Sequence, residues 1–220
     1  MLVMTTGAVM KVCEIFASIQ GESTYAGLPC VFVRMTGCNL RCVYCDTTYA
    51  YEEGMEMSEN EIIERVKSYG IKLVEITGGE PLLQREVLLL MRKLLDNGFT
   101  VLLETNGSES IKDVDKRVTV IMDIKTPRSG MFEKMDLMNL KYIKSDDEIK
   151  FVVMDREDYE WVKSFIKDYS LLNKCRILMS PAYGALLPYD LSKWIVEDRL
   201  PVRLNLQLHK YIYGADERGV

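Results

Sequence analysis

Three of the six cysteines in this chain lie within one run of eight residues, at Cys38, Cys42 and Cys45. The loop that carries them has the spacing C-x3-C-x2-C, so it offers three thiolates at one place. A structural zinc ion takes four protein ligands, and so does a two-iron or an ordinary four-iron cluster. Three thiolates from a single loop therefore favour a four-iron cluster in which one iron stays open to a small-molecule ligand.

Two other arrangements of these thiols remain open on spacing alone. One is a zinc loop that a distant residue completes, and the other is a set of unconnected buried thiols. The remaining cysteines stand apart in apolar runs that are typical of strands: Cys13, Cys30 and Cys175.

Strand-like and helix-like segments alternate around the cysteine loop. Short apolar runs predict strands at 30–35, 71–76, 99–103, 118–124, 148–154 and 176–179. A capping box from Ser58 to Glu61 begins one helix, and the periodicity predicts others at 82–97, through Trp161 and near 187–197. Repeated strand–helix units favour a parallel sheet, and about six strands are too few for the eight of a closed barrel. We predict an α/β fold, an open and partial β/α barrel, with residues 1–220 in one domain.

Composition narrows the classes of function. Hydrophobic residues make up 48% of the chain, charged residues 28%, and the net charge is -5. This balance argues against a protein that binds nucleic acid or an anionic membrane, which would carry a basic face. The opening residues Met1 to Met4 lack the pattern of a secretion signal, and no run approaches membrane-spanning length. Six cysteines without a paired framework indicate a reducing compartment, so we expect a cytoplasmic protein.

The cysteine loop and the segment TGGEP at 77–81 each follow a predicted strand, and together they resemble the radical S-adenosylmethionine superfamily. The aromatic Tyr44 just before the last cysteine also matches its pattern. The resemblance implies one 4Fe-4S cluster bound by Cys38, Cys42 and Cys45, with the open iron chelating S-adenosylmethionine. The paired glycines of TGGEP would let the backbone approach that ligand closely.

A narrower resemblance covers nearly the whole chain. The chain is similar to the 7-carboxy-7-deazaguanine synthase family in EIFASIQGES at 14–23, GLP at 27–29, CDT at 45–47, QLHK at 207–210 and RGV at 218–220. This resemblance implies ring contraction of 6-carboxy-5,6,7,8-tetrahydropterin to 7-carboxy-7-deazaguanine with loss of ammonia, on the route to queuosine and archaeosine. It also implies magnesium, an abbreviated barrel, a homodimer and an electron donor such as flavodoxin or ferredoxin.

The same resemblance implies roles for single residues, although the radical chemistry itself belongs to the cofactor. Against S-adenosylmethionine it places Tyr44, Cys45, Asp46, Gly79, Asp123, Ile124 and Lys125. Against the pterin it places Ile19, Gln20, Gly21, Arg34, Thr77, Gln207 and His209. Thr47 would give its hydroxyl to magnesium, a hard cation that prefers oxygen ligands.

The residue types allow simpler explanations for some of these positions. Thr47 is also a threonine that closes a turn, and a lone histidine such as His209 is more often structural than catalytic. Arg34 stands inside an apolar strand, where an unpaired charge is costly, and its planar guanidinium matches a carboxylate bidentately. A substrate carboxylate is therefore the favoured partner of Arg34.

Two other functions share these motifs. A radical-activating enzyme, which takes hydrogen from a glycine of a partner protein, has the same cysteine loop and glycine turn. A non-enzymatic zinc or iron–sulfur module is the second alternative. The segments 20–22 and 207–209 favour a small polar heterocycle over both.

Overall fold

The computed structural model describes residues 8–215 and 217–220, so the opening segment Met1 to Met4 lies outside the described residues. Within them, one sheet contains nine strands. The strands are β1 (Val9–Ile19), β2 (Pro29–Met35), β3 (Met55–Ser58), β4 (Leu73–Gly78), β5 (Thr100–Thr105), β6 (Thr119–Asp123), β7 (Glu148–Val153), β8 (Arg176–Pro181) and β9 (Arg203–Leu204). The helices are α1 (Glu59–Ser68), α2 (Val87–Asp96), α3 (Arg156–Asp168), α4 (Pro188–Glu197) and α5 (Leu208–Ile212).

The sheet has the linear order β3-β1-β2-β4-β5-β6-β7-β8-β9, so it does not close on itself. Neighbouring strands from β2 through β9 pair in parallel. The six predicted strands and the short β9, which the sequence did not predict, form this parallel part, which confirms the open β/α arrangement. Two further strands, β1 and β3, extend the β2 edge by antiparallel pairing, and the sequence did not predict them as parts of the sheet.

Helix α1 begins where the sequence predicts. The hydroxyl of Ser58 accepts a hydrogen bond from the backbone N–H of Glu61, and the Glu61 carboxylate accepts one from the backbone N–H of Ser58. This reciprocal capping box satisfies two backbone donors at the start of the helix.

The helix predicted at 82–97 begins five residues later than expected, because α2 begins at Val87. The preceding Gln84 has extended backbone angles, and its side-chain amide donates to the carbonyls of Lys11 and Thr36. Its side-chain oxygen also accepts from the backbone N–H of Lys11. These tertiary contacts to β1 and to the end of β2 outweigh the local helical periodicity.

The two faces of the sheet differ in character. Along β4, Val74 and Ile76 enter the main hydrophobic core with the inward residues of α2, whereas Glu75 and Thr77 line a cavity on the opposite face. Successive side chains of a strand point to opposite faces, so a period of two separates core from cavity. The structure describes no helix that combines the length and the apolar character needed to cross a membrane.

Candidate active site

A cavity of about 510 Å³ opens at the carboxyl ends of the parallel strands. Parallel α/β folds build their sites at this end, because the loops that follow the strands meet there. Its walls come from the cysteine loop after β2, the loop between β1 and β2, the ends of β4 to β8, and the segment that follows β9.

All three cysteines of the loop after β2 line this cavity. Burial raises the pKa of Cys38 and Cys42, while the ammonium of Lys125 acts in the opposite direction on Cys42. The backbone N–H of Leu40 lies 3.4 Å from the Cys38 sulfur, and the side-chain amide of Asn106 lies 3.7 Å from it. Hydrogen bonds of this kind tune the sulfurs that hold iron–sulfur clusters.

This donor set fits a 4Fe-4S cluster with one open iron. Three thiols share one wall of the cavity, and the described lining residues include no fourth cysteine. Within residues 8–215 and 217–220, the structure contains no group of three or more His, Cys, Asp or Glu side chains that could hold a single metal ion. The cysteines that do not line the cavity are Cys13, Cys30 and Cys175.

The paired glycines at the end of β4 are required by close packing against the end of β2 and the start of the cysteine loop. A Cβ on Gly79 would lie 2.1 Å from the carbonyl oxygen of Gly37, and one on Gly78 would lie 2.3 Å from that of Met35. No side chain fits at either distance, which explains the glycines in the segment TGGEP independently of any ligand.

Glu80 fastens two of the loops that form the cavity. Its fully buried carboxylate accepts hydrogen bonds from the backbone N–H groups of Leu82 and Asn106 and from the hydroxyl of Thr105. Burial raises the pKa of Glu80 to about 7, although these donors oppose the shift. The glutamate of the TGGEP segment therefore joins the loop after β4 to the loop after β5.

The residues that the sequence assigned to S-adenosylmethionine lie beside the cysteines, with one exception. Lys125 forms an ion pair of 2.7 Å with Asp123, and its ammonium lies 5.7 Å from the ring centre of Tyr44. Ile124 differs, because its side chain is 2% exposed and packs in the hydrophobic core. Ile124 does not line the cavity, and its backbone N–H donates to the carbonyl of Lys150 at 2.9 Å.

Two buried polar atoms of this wall lack a partner among the described residues: the Tyr44 hydroxyl and Oδ1 of Asp123. Leaving such an atom unsatisfied costs about 1–3 kcal/mol. Since both residues line the cavity, these atoms fit a bound polar ligand such as S-adenosylmethionine.

Thr47 follows the last cysteine of the loop, on the rim of the cavity. Its hydroxyl donates to Oδ1 of Asp46 at 2.9 Å. Burial opposes ionisation of Asp46, but the ammonium of Lys210 outweighs it and lowers the pKa of this carboxyl to about 2. The rim therefore carries a hydroxyl next to an ionised carboxylate, which are oxygen ligands suited to magnesium.

Arg34 also lines the cavity, and its partner in the described structure is a residue of β1. Nε of Arg34 donates to Oε1 of Glu14 at 2.7 Å, and the hydroxyl of Tyr49 donates to the same oxygen at 2.9 Å. The two terminal nitrogens of the guanidinium make no hydrogen bond to any described residue. Arg34 is therefore held at one edge and free at the other, towards the cavity.

The segments 19–22 and 207–209 meet on one wall, as their shared assignment to the pterin requires. The backbone N–H of Leu208 donates to the carbonyl of Gly21 at 2.9 Å, and the side-chain amide of Gln207 donates to Glu22 at 3.0 Å. A Cβ on Gly21 would lie 2.3 Å from Nδ1 of His209, so this glycine makes room for the imidazole. Burial lowers the pKa of His209 and favours its neutral form.

Gln20 lies in the same wall, but its amide is already engaged. It donates to Glu75 and accepts from the backbone N–H of Glu22 at 3.0 Å. Ile19 lines the cavity beside it. The side chain of Gln20 therefore fixes the shape of the wall.

Several ionisable residues of the cavity were missed by the sequence prediction, among them Glu22, Glu75, Glu104 and Lys150. Lys150 is 5% exposed, and its ammonium contacts Glu22 at 3.0 Å, Glu104, and Asp123 at 3.8 Å. Thr77 joins the network by donating to Glu104 at 3.0 Å. For Glu75, Glu104 and Lys150, the signal available was a charged residue inside an apolar strand, the criterion that selected Arg34.

Comparison with known proteins identifies the class. Residues 32–170 match the model of the Radical SAM superfamily, so the chain belongs to the radical S-adenosylmethionine enzymes. It is 48% identical to 7-carboxy-7-deazaguanine synthase of Chlorobaculum tepidum, over 99% of this chain and 100% of that protein. It is 40% identical to the 7-carboxy-7-deazaguanine synthase of Methanospirillum hungatei, over 92% of this chain and 85% of that protein. Within the superfamily, the chain belongs to the 7-carboxy-7-deazaguanine synthase family.

A solved structure supports the fold assignment. The crystal structure of QueE from Escherichia coli superposes with a TM-score of 0.76 at 23% identity, over 90% of this chain and 94% of that chain. This match shows that the open arrangement of the sheet is shared.

Proposed function

We propose that this protein catalyses the radical-mediated ring contraction of 6-carboxy-5,6,7,8-tetrahydropterin to 7-carboxy-7-deazaguanine with loss of ammonia, in 7-deazapurine biosynthesis. Membership of the 7-carboxy-7-deazaguanine synthase family supports this reaction. The observation that carries it is one cavity lined both by the three thiols of the cysteine loop and by Arg34 with a network of buried charges.

The cysteine side of the cavity would hold the cofactors. When bound, the cluster supplies one electron that cleaves S-adenosylmethionine to methionine and an adenosyl radical, which takes hydrogen from the substrate. Cys38, Cys42 and Cys45 are the proposed cluster ligands. The proposed contacts of S-adenosylmethionine are Tyr44, Cys45, Asp46, Gly79, Asp123, Lys125 and the backbone of Ile124.

The opposite side would hold the pterin. The free edge of the Arg34 guanidinium suits the substrate carboxylate, since two parallel N–H donors match two carboxylate oxygens. The ring would lie against Ile19, Gln20, Gly21, Thr77, Gln207 and His209. A primary carbon radical takes hydrogen from almost any nearby C–H bond, so selectivity must come from this placement and from exclusion of water.

Removal of the Arg34 guanidinium tests the substrate anchor. A hydrogen bond to a charged group contributes roughly 1.5–3 kcal/mol, so Arg34→Ala is expected to raise the KM for the pterin about ten- to a hundredfold. Cleavage of S-adenosylmethionine should also become uncoupled, with more 5′-deoxyadenosine formed per product. Arg34→Lys should recover only part of the loss, because an ammonium lacks the planar fork. Normal pterin affinity and tight coupling in Arg34→Ala would show that the carboxylate is held elsewhere.

Thr47 tests the proposed magnesium site. Turnover by the unaltered protein is expected to fall on chelation and to recover with added magnesium, and Thr47→Ala should blunt this response. Thr47→Ser keeps the hydroxyl and serves as the matched control. If Thr47 merely closes a turn, Thr47→Ala should instead lose stability while the magnesium dependence stays intact. Thermal unfolding measures the stability, and a magnesium titration of the turnover rate measures the dependence.

The function itself is tested with the anaerobically reconstituted protein. Iron and sulfide are counted first, since a zinc module would carry no sulfide. The carboxy-pterin is then supplied with S-adenosylmethionine and a chemical reductant but no protein partner, and 7-carboxy-7-deazaguanine and ammonia are measured. Cluster assembly without product formation would favour a radical-activating enzyme that acts on a glycine of a partner protein.

The molecular setting follows from the same family assignment and belongs to the proposal. We propose one catalytic domain over residues 1–220, supported by the continuity of the sheet. Exposed apolar side chains on and near α4 and α5, among them Tyr189, Val196 and Tyr211, support a homodimer. A flavodoxin or ferredoxin would donate the electron, and the unpaired cysteines support a cytoplasmic location.

A further inference from the structure

The segment that follows β9 forms a strap along the wall of the cavity; the strap comprises residues 205–215 and 217–220. It is tied to the loop between β1 and β2, where the side chain of Asn205 accepts from the backbone N–H of Ser23 at 2.8 Å. It is also tied to the cysteine loop through the ion pair of Lys210 with Asp46. Residues 217–220 continue along the cavity wall beyond these contacts.

Arg218 is the basic residue at the far end of the strap. Its guanidinium carbon lies 3.6 Å from the ring centre of Tyr49, and one of its terminal nitrogens lies 3.1 Å from the carboxylate of Glu53. A planar guanidinium at this distance stacks on the face of the aromatic ring. The strap therefore ends on the short 3-10 turn Thr48–Tyr51, directly after the cysteine loop.

Tyr49 connects Arg218 to the proposed substrate anchor. Its hydroxyl donates to Oε1 of Glu14, and this same oxygen accepts from Nε of Arg34. The guanidinium carbon of Arg34 lies 6.0 Å from the ring centre of Tyr49, so both arginines approach the same tyrosine ring. A shift of this ring changes the position of the carboxylate that fixes Arg34.

We propose that Arg218 is a positioning residue that acts through Tyr49 and Glu14 to orient Arg34 toward the substrate. This inference rests on the proposed function, because Arg34 is there assigned to the pterin carboxylate. Arg218 and Glu53 have side chains that are 52% and 59% exposed, and exposed ion pairs contribute little to stability. The contribution of Arg218 is therefore expected in substrate binding, with little effect on folding.

The first experiment compares Arg218→Ala and Arg218→Lys with the unaltered protein. The KM for the pterin is expected to rise about five- to tenfold in Arg218→Ala, with kcat less affected and more 5′-deoxyadenosine formed per product. Arg218→Lys keeps the charge but not the planar face, so it should recover only part of this change. Arg65→Ala is the matched control. Arg65 is an exposed arginine in α1, and its guanidinium carbon lies 5.5 Å from the ring centre of Tyr69, which follows that helix directly. This variant should leave the KM unchanged, and both alanine variants should unfold at similar temperatures.

The second experiment asks whether Arg218 acts through Arg34. Residues that act as a unit give non-additive effects, so Arg218→Ala should raise the KM little further when Arg34→Ala is already present. An equal rise in both backgrounds would overturn the proposal, and so would an unchanged KM in Arg218→Ala alone. The unaltered protein is assayed first: its failure to convert the pterin would reject the proposed function and this inference, whereas normal conversion with unaffected variants would reject the inference alone.

Discussion

Replacing any one of Cys38, Cys42 and Cys45 with alanine is expected to abolish reductive cleavage of S-adenosylmethionine. Each thiolate would bind a different iron, and the described walls of the cavity offer no spare cysteine to take its place. Loss of one ligand therefore removes the cluster geometry that leaves a single iron open. The measurement is 5′-deoxyadenosine formed under anaerobic conditions, together with the iron and sulfide content of each variant.

The other cysteines supply the matched controls for this experiment. Cys13 and Cys175 are partly buried and do not line the cavity, so alanine at either position should leave the cluster content and the cleavage rate close to normal. Cys30 is fully buried in the smaller hydrophobic cluster, so Cys30→Ala should lower stability by the removal of a packed side chain while the cluster still assembles. Loss of the cluster in Cys175→Ala equal to that in Cys38→Ala would point to a fourth cysteine ligand and contradict the open iron.

The parts of the site that the sequence predicted are local in the chain. The cysteine spacing lies within one loop, and the glycines that leave no space for a Cβ beside it lie in one short segment at the end of β4. The strands of the parallel part are short apolar runs, which a period-two pattern or a β-branched composition indicates directly. Such features need no knowledge of which distant residues approach them.

The features that the sequence missed depend on contacts between distant residues. Strand β1 is half-buried along much of its length, so its pattern is weak until it pairs with β2. The late start of α2 follows from Gln84 bonding to β1, 73 residues away in the chain. Lys150 and Glu22 are 128 residues apart, and only the meeting of the strand ends brings them together.

Lys150 is one missed residue whose role the strand pattern could have predicted. It lies in β7 between the core residues Ile149 and Phe151, so its side chain must point to the opposite face. A lysine at such a position is almost never fully buried without a partner. The pattern thus predicts an anionic group on the cavity face, although it cannot say that Glu22, Glu104 and Asp123 supply it.

Lys150→Met is expected to destabilise the fold and to disable the pterin side of the cavity. Removing one partner of a buried ion pair leaves an uncompensated charge, which costs about 3–5 kcal/mol.

Burial alone favours the neutral acid at Glu104, but Lys150 outweighs it and lowers the pKa of this carboxyl to about 2. In the unaltered protein, Glu104 therefore contributes stability that is fully present above its unfolded pKa and is lost progressively as pH falls from there through about 2. Without Lys150, burial dominates and raises the pKa of Glu104 above its unfolded value. The variant is then stabilised when Glu104 is protonated. The loss of folding stability caused by Lys150→Met should therefore be larger at pH 8 than at pH 5.5.

Chemical denaturation at these two pH values measures the loss of stability, and pterin turnover at a temperature where the variant remains folded measures the effect on the site. Lys144→Met is the matched control, because Lys144 pairs with the buried Asp147 before β7 and does not line the cavity. That variant should lose stability while it keeps its KM for the pterin and its coupling of cleavage to product. Lys150→Arg restores the charge and should recover stability more than turnover, since the larger guanidinium cannot occupy the same position among three carboxylates. If Lys150→Met unfolds like the unaltered protein at both pH values and keeps its turnover, Lys150 does not hold this carboxylate network together.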